Sequence, residues 1–215
     1  MHANRYELGN RDLVPQRNYE LDVSGHFHTN IFVFDLSAFY NKINNYIFLS
    51  PTQDTVKNGD PLFLYKQIDA SIAGIETGVR YLPTEWINLS SSYAYLRGKK
   101  ENDENLPFIP ANKLNTGIKL INKKRANIPA GFFSLSSQYA FDQSNPSRFE
   151  TETNNYFLLN SSIGMTFEVA DGKIDLQAGV NNLLNQDYDD HLSTIKVLPY
   201  GNMGRNMYGK LKFSF

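Results

Sequence analysis

The feature that most constrains this chain is an alternation of apolar and polar side chains with a period of two, repeated from about Tyr19 to the last residue with no helical periodicity between. In residues 173–185, Ile174, Leu176, Ala178 and Val180 alternate with Asp175, Gln177, Gly179 and Asn181. In residues 205–215, Met207, Gly209, Leu211, Phe213 and Phe215 alternate with Asn206, Tyr208, Lys210, Lys212 and Ser214. Successive side chains of a strand point to opposite faces, so each segment becomes a ribbon with one greasy and one wet side. Residues 19–28 repeat the pattern, with Tyr19, Leu21, Val23, Gly25 and Phe27 against Glu20, Asp22, Ser24, His26 and His28. In residues 31–43 one face holds Phe32, Phe34, Leu36, Ala38 and Tyr40, and the other mixes Asp35, Ser37 and Asn41 with Ile31, Val33 and Phe39.

Five further strands are expected over 64–82, 86–96, 114–121, 128–142 and 156–169. The sum is about nine, each near or above the roughly 9–11 residues that cross a bilayer at a tilt. Short turns near Thr29, Pro83, Lys123 and Asp171 alternate with long polar loops over 44–63, 97–112, 143–155 and 186–203. The first of these reads as a loop because Pro51, Asn58-Gly59 and Pro61 are turn punctuation. Membrane barrels join their strands with this rhythm of short turns at one rim and long loops at the other. Counting back from Phe215, every short turn falls on the side of the final residue. A last strand that ends on an apolar side chain suits contact with lipid, since the ends of soluble domains usually fray into water.

Composition bounds the reading without deciding it. Hydrophobic residues make up 41% of the 215, and no run of eighteen or so apolar residues marks a membrane helix. A barrel strand shows lipid only every second residue, so a modest average is what it requires. The 13 Tyr and 15 Phe against 1 Trp favour strands and suit aromatic girdles at two membrane surfaces. A formal net charge of −1 leaves no electrostatic footprint for nucleic acid. With 0 Cys there is no disulfide or thiolate metal site, and His2, His26, His28 and His191 are too scattered to form a ligand cluster. No Ser/His/Asp order, HExxH, phosphate-binding loop or GxGxxG is present, so neither an enzyme nor a cofactor is expected.

The stretches 179–193 (GVNNLLNQDYDDHLS) and 204–215 (GRNMYGKLKFSF), with the closing Phe, resemble the carboxy-terminal end of TonB-dependent receptors. The phrase GNRDLVPQ before the first long strand, with Gln16 where that family usually has Glu, and GIETGVRY at 74–81 extend the resemblance over essentially the whole chain. It implies an all-β fold: an antiparallel transmembrane β-barrel of which this chain supplies about nine carboxy-terminal strands out of roughly 22. Residues 1–16 are then an extracellular loop segment and 17–215 barrel wall, with short turns and the carboxy-terminus periplasmic and long loops extracellular. The start of the chain lacks an export signal, so the resemblance makes it a piece of something longer, preceded by a plug domain. The implied function is active uptake, across the Gram-negative outer membrane, of a scarce nutrient such as an iron–siderophore complex. Implied partners are the TonB energy-transducing complex, the barrel assembly machinery (read from the Phe213 and Phe215 signal), the lipid bilayer and a small-molecule ligand, most often a metal chelate. Two rivals remain: a passive pore or adhesive barrel, and a soluble β-sandwich that buries both apolar faces against each other.

Three groups of residues are candidates for function. Inward charges, Glu20, Asp22, Asp35, Glu76, Arg80, Lys119, Glu168, Asp175, Lys210 and Lys212, can line a transport path or meet a plug, while any polar lumen carries such groups. Loop aromatics Tyr46, Phe48, Phe108, Phe149, Tyr188 and Tyr200 can hold a ligand at the mouth, or form an interfacial belt. Asp187, Asp189, Asp190 and His191 offer hard-cation ligands, but they lack the ligand order of a calcium loop, and no metal site is assigned.

Overall fold

A computed structural model describes residues 5–125, 128–148, 150–169, 172–193, 196 and 200–215. It contains β1 (Tyr6–Leu8), β2 (Arg17–His28), β3 (Phe32–Thr55), β4 (Pro61–Thr84), β5 (Ile87–Lys100), β6 (Lys113–Asn122), β7 (Ala130–Ala140), β8 (Tyr156–Val169), β9 (Gly172–Asn181) and β10 (Asn206–Ser214). From β2 to β10 each strand pairs antiparallel with the next, in one continuous meander, and β1 lies off this path parallel to β4. These nine long strands are the wall the alternation predicts. Because all ten belong to a single sheet, no second layer buries the apolar face among the described residues, and the β-sandwich rival falls.

The register turns nine separate alternations into two continuous surfaces. Opposed residues point the same way, so His26, Asp35, Gly78, Ser92, Asn115 and Gln138 form one polar row across β2 to β7. On the other face Phe32, Tyr81, Leu89, Ile118 and Leu135 form an apolar row. Further along, Met165, Leu176 and Leu211 share a row, as do Phe167, Ile174 and Phe213. The mixed faces of β3 are settled by its neighbours: Asp35 stands between His26 and Gly78, which assigns Phe34, Leu36 and Tyr40 to the apolar side. The hydroxyls of Thr116 and Ser137, which fall on that side, satisfy each other at 2.7 Å.

The apolar face is banded. Near the short turns it carries Phe27, Tyr81, Phe133, Phe167 and Phe213, and near the long loops Tyr19, Tyr40, Tyr93, Tyr139 and Phe157, with aliphatic side chains between. The ten residue-to-residue steps from Phe157 to Phe167 span about 33 Å along the strand, or about 25 Å once tilted by ~40°, the height of a barrel's apolar band. Many of these side chains are exposed, Leu21 at 66% and Leu211 at 72%, although they are among the most apolar in the chain. The buried hydrophobic residues, Ile43, Phe48, Ala70, Leu106, Ala140 and Tyr156, all sit toward the long-loop rim.

One expected loop is mostly strand. Residues 44–55 and 61–69 continue β3 and β4 past the wall as a projecting hairpin, closed by a turn in which Gly59 has φ +88°. Pro51 and Pro61 are tolerated there, Pro61 as the first residue of its strand and Pro51 beside a register shift. A bulge at Asn44-Asn45, with Asn45 at φ +58° and its N–H donating to the Asp69 carboxylate at 2.7 Å, marks where wall becomes hairpin. The stretch before β2 is likewise not structureless, since Tyr6–Leu8 pairs with Leu62–Leu64. Gln67 ties the two together: its amide N–H₂ donates to the carbonyls of Val14 and Asn45, and its oxygen accepts from the Val14 N–H.

Candidate functional site

The polar face holds every predicted inward charge. Glu20 and Asp22 lie exposed on β2, and Asp35 on β3 is bonded at 2.8 Å to the His26 ring. Glu76 and Arg80 are exposed on β4, and Lys119 on β6 sits 4.3 Å from the centre of the Phe132 ring. Asp175 is half-buried and accepts from the Thr166 hydroxyl at 2.6 Å, Glu168 pairs with Lys124, and Lys210 and Lys212 stand exposed on β10. Between them, Ser90, Ser92, Asn115, Ser136, Gln138 and Asn160 line a shallow concavity of about 450 Å³ with Asp35 and Arg80 at its side. These short hydroxyl and amide side chains leave room and carry no charge.

Glycines on this face accept large rings from the neighbouring strand. Phe39 is paired with Gly74, Phe132 with Gly164 and Tyr208 with Gly179. In each case a Cβ on the glycine would come within 2.3–2.5 Å of the ring. The ring lies over its neighbour, so the polar face stays smooth.

The loop aromatics do not converge. Tyr46 and Phe48 stack on the projecting hairpin with ring centres 6.2 Å apart, and Lys100 lies over Phe48 at 5.3 Å. Phe108, at φ +61°, stacks on Phe63, which also carries the Arg5 guanidinium at 5.3 Å. Tyr188 packs against Tyr156 at 4.5 Å, and Tyr200 is 71% exposed. Phe149 lies outside the described residues. The rim therefore offers three separate aromatic stations.

What does converge is a polar junction that the sequence did not announce. The Asp190 carboxylate accepts from the Lys113 ammonium at 2.6 Å and from the Tyr156 hydroxyl at 2.8 Å. Burial pushes its pKa up, but these hydrogen bonds, with one from the Leu192 N–H, outweigh it and hold the carboxyl below the usual range. Beside it, His191 is buried, its Nδ1 2.8 Å from the Thr153 hydroxyl, and the Lys196 ammonium donates to Thr153 Oγ1 at 2.6 Å. Burial, followed by the nearby Lys196 charge, pushes the His191 imidazole down. Burial likewise lowers Lys196. Two of the four residues weighed as cation ligands, Asp190 and His191, thus tie the loop 182–205 to β6, to β8 and to the loop 141–155. Among the described residues, no three acidic or histidine side chains meet at one point. Asp190 and His191 were visible in the sequence; their partners, 77 and 38 residues away, were not.

Solved structures share this architecture. The copper transporter OprC is similar over 95% of this chain and 32% of its own, with 20% identity and a TM-score of 0.82. BauA, the ferric preacinetobactin receptor of Acinetobacter baumannii, is similar over 94% and 30%, with 18% identity and a TM-score of 0.66. The siderophore receptor PirA of the same organism covers 97% and 33%, at 20% identity and a TM-score of 0.64. The chain spans about a third of the length of these structures. At such identities the likeness carries the fold, and the family rests on sequence: residues 2–183 match the model of the TonB dependent receptor-like β-barrel, and the chain belongs to that family.

Proposed function

We propose that this chain forms wall and mouth of an outer-membrane receptor that takes up a scarce nutrient, a metal chelate such as an iron–siderophore complex, with TonB supplying energy through parts of the protein beyond this chain. The observation that carries the reading is the banded apolar face: exposed aliphatic side chains between two aromatic belts suit hydrocarbon and are costly in water. In this reading the short turns and the end of β10 face the periplasm, and the long loops, with Tyr46, Phe108, Tyr188 and Tyr200, face the outside. Phe213 and Phe215, at the short-turn rim with ring centres 6.0 Å apart, are what the assembly machinery would read. A metal chelate is favoured because large, partly aromatic chelates match separate aromatic stations and the uncharged floor of the concavity, Ser90, Ser92, Asn115 and Ser136.

The test is uptake by a strain lacking the full-length gene, grown on limiting iron with single chelates. Loss of uptake of one chelate, restored by the gene and abolished again without TonB, is the expected result. Unchanged uptake of every chelate tried would count against the metal-chelate class, and uptake that ignores TonB would favour a passive pore.

A further inference from the structure

Up to the bulge at Asn44-Asn45, the charged side chains on the apolar face of β2 to β5 are Arg17, Lys42, Arg97 and Lys99, with no acidic one among them. The register gathers all of them at the long-loop end. Lys42 is paired with Tyr19 and Ser71, Ser71 with Lys99, and Arg97 stands in the row of Tyr40 and Ala73. Arg17, two residues beyond Tyr19 on the same face, is a diagonal neighbour of Lys42. Across β6 to β10 this face holds no charged side chain, and Arg205, just before β10, donates from Nε to the Leu183 carbonyl at 3.0 Å. At the short-turn end Lys123 and Lys124 sit in a turn and pair with Glu85 and Glu168.

On β4 the side chains between these cations are short. Ser71 and Ala73 form the floor of a trough, walled on one side by Tyr40 and Lys42 of β3 and on the other by Tyr95 and Arg97 of β5. Two strand intervals separate the walls, about 10 Å at ~4.8 Å each, a gap that two long cationic side chains close over one tetrahedral anion. Lys42 and Arg97 are exposed, and among the described residues neither they nor Arg17 has an ion-pair partner. The nearby acids are engaged elsewhere: Asp103 pairs with Lys99 at 3.4 Å, Asp69 accepts from the Asn45 N–H at 2.7 Å, and Asp142 accepts from the Asn155 N–H at 2.7 Å. Glu101, exposed, begins the loop beyond β5. Like charges set side by side repel, so an anion seated among them is what stabilises the cluster.

We propose that Lys42 and Arg97, with Arg17 beside them, seat the phosphate of a lipid headgroup whose acyl chains lie along the apolar band below. The proposal rests on the reading of this face as lipid-facing. The occupant is a lipid because the cations stand at the edge of the tyrosine belt of Tyr19, Tyr40 and Tyr93, the level at which headgroups lie, with aliphatic side chains directly beneath. An ammonium and a guanidinium make charge-assisted hydrogen bonds to phosphate oxygens, and the Ser71 hydroxyl on the floor offers a further donor. Only the sector from β2 to β5 is so equipped among the described residues, so the bound lipid marks one side of the wall rather than coating it evenly.

The experiment titrates the full-length protein, held in phosphatidylcholine nanodiscs, with bisphosphorylated lipid A and reads the lipid retained by native mass spectrometry. Lys42→Gln with Arg97→Gln should weaken retention roughly tenfold or more, the scale of charge-assisted hydrogen bonds lost. Lys123→Gln with Lys124→Gln, at the other rim, should leave it at the wild-type value. Dephosphorylated lipid A should bind the wild type no better than the phosphorylated lipid binds the Lys42 and Arg97 variant. Equal retention by wild type and that variant, equal retention of the dephosphorylated lipid, or an equal loss in the short-turn variant would each overturn the proposal. Displacement of the lipid by an equimolar amount of inorganic phosphate would overturn it too, by making the free anion the ligand. Where the double variant does not fold, Ser71→Phe, which keeps both charges and fills the trough, is held to the same criteria. A wild-type protein that does not enter nanodiscs overturns the lipid-facing reading itself, whereas one that enters and holds lipids without regard to phosphate overturns the seat alone.

Discussion

At the scale of single residues, the polar junction at the long-loop rim is a pH-sensitive tie. The His191 imidazole is held below its ordinary range by burial and by the nearby Lys196 ammonium, only partly offset by Glu150 and Asp190. A depressed folded value means the unfolded segment takes up a proton first. The stabilisation is therefore complete above the ordinary value of 6.5 and is lost as pH falls through it toward the folded value. Going from pH 7.5 to pH 5 should speed amide exchange in residues 182–193 relative to β8, and His191→Gln should flatten that dependence. Exchange that is equally pH-dependent in the variant would show that another group is responsible. The glycine and aromatic pairs illustrate the opposite case, where residue choice answers geometry rather than charge: only hydrogen at Gly74, Gly164 and Gly179 leaves space for the ring beside it.

At the scale of elements, what could be read in advance and what could not divides along one line. Period-two alternation reports a strand that presents two different environments, so the wall from β2 to β10 was legible, and the expected bounds of β8 coincide with the observed Tyr156–Val169. The projecting hairpin was not, because beyond the wall neither face meets lipid, and Tyr46, Phe48, Tyr65 and Gln67 no longer alternate by polarity. Asn58-Gly59 did mark the turn, but its neighbouring prolines suggested a loop of twenty residues rather than the tip of two long strands. Parity alone put the candidate inward charges on one shared face of the sheet. The partners of Asp190 and His191 were hidden because a contact across 77 or 38 residues leaves no local pattern. Gln67 offers a test at this scale, since its amide alone joins residue 14 to the hairpin through both donor and acceptor bonds. Gln67→Ala should increase tryptic cleavage after Arg11 by roughly tenfold, as expected where a local tie worth ~1–1.5 kcal/mol is removed. Cleavage within β5 to β8 should not change; equal cleavage after Arg11 in variant and parent would mean the segment before β2 is held by β1 and by the Gln16 side chain, whose oxygen accepts from the Ile47 N–H.

At the scale of the whole molecule, the architecture makes one demand: a sheet with a single layer has to find its apolar solvent elsewhere. Nitroxide labels at Leu176 and Leu211, which share an apolar row, should be accessible to oxygen dissolved in the bilayer and shielded from a water-soluble relaxant. Labels at Gln177 and Lys210, one position away on the opposite face, should behave the other way round. The same accessibility at all four sites would show that the two faces do not separate lipid from water.

The outermost strand β2 offers a final consequence. All twelve of its residues are exposed and only one of its sides is paired, to β3. Its outward N–H and C=O groups lie open along a straight flank with no bulge to interrupt its ladder. Such a flank is a template, and any extended polypeptide that reaches it can be stitched on. Made by itself, this polypeptide should cling to its own copies, flank against flank, long before it meets a bilayer.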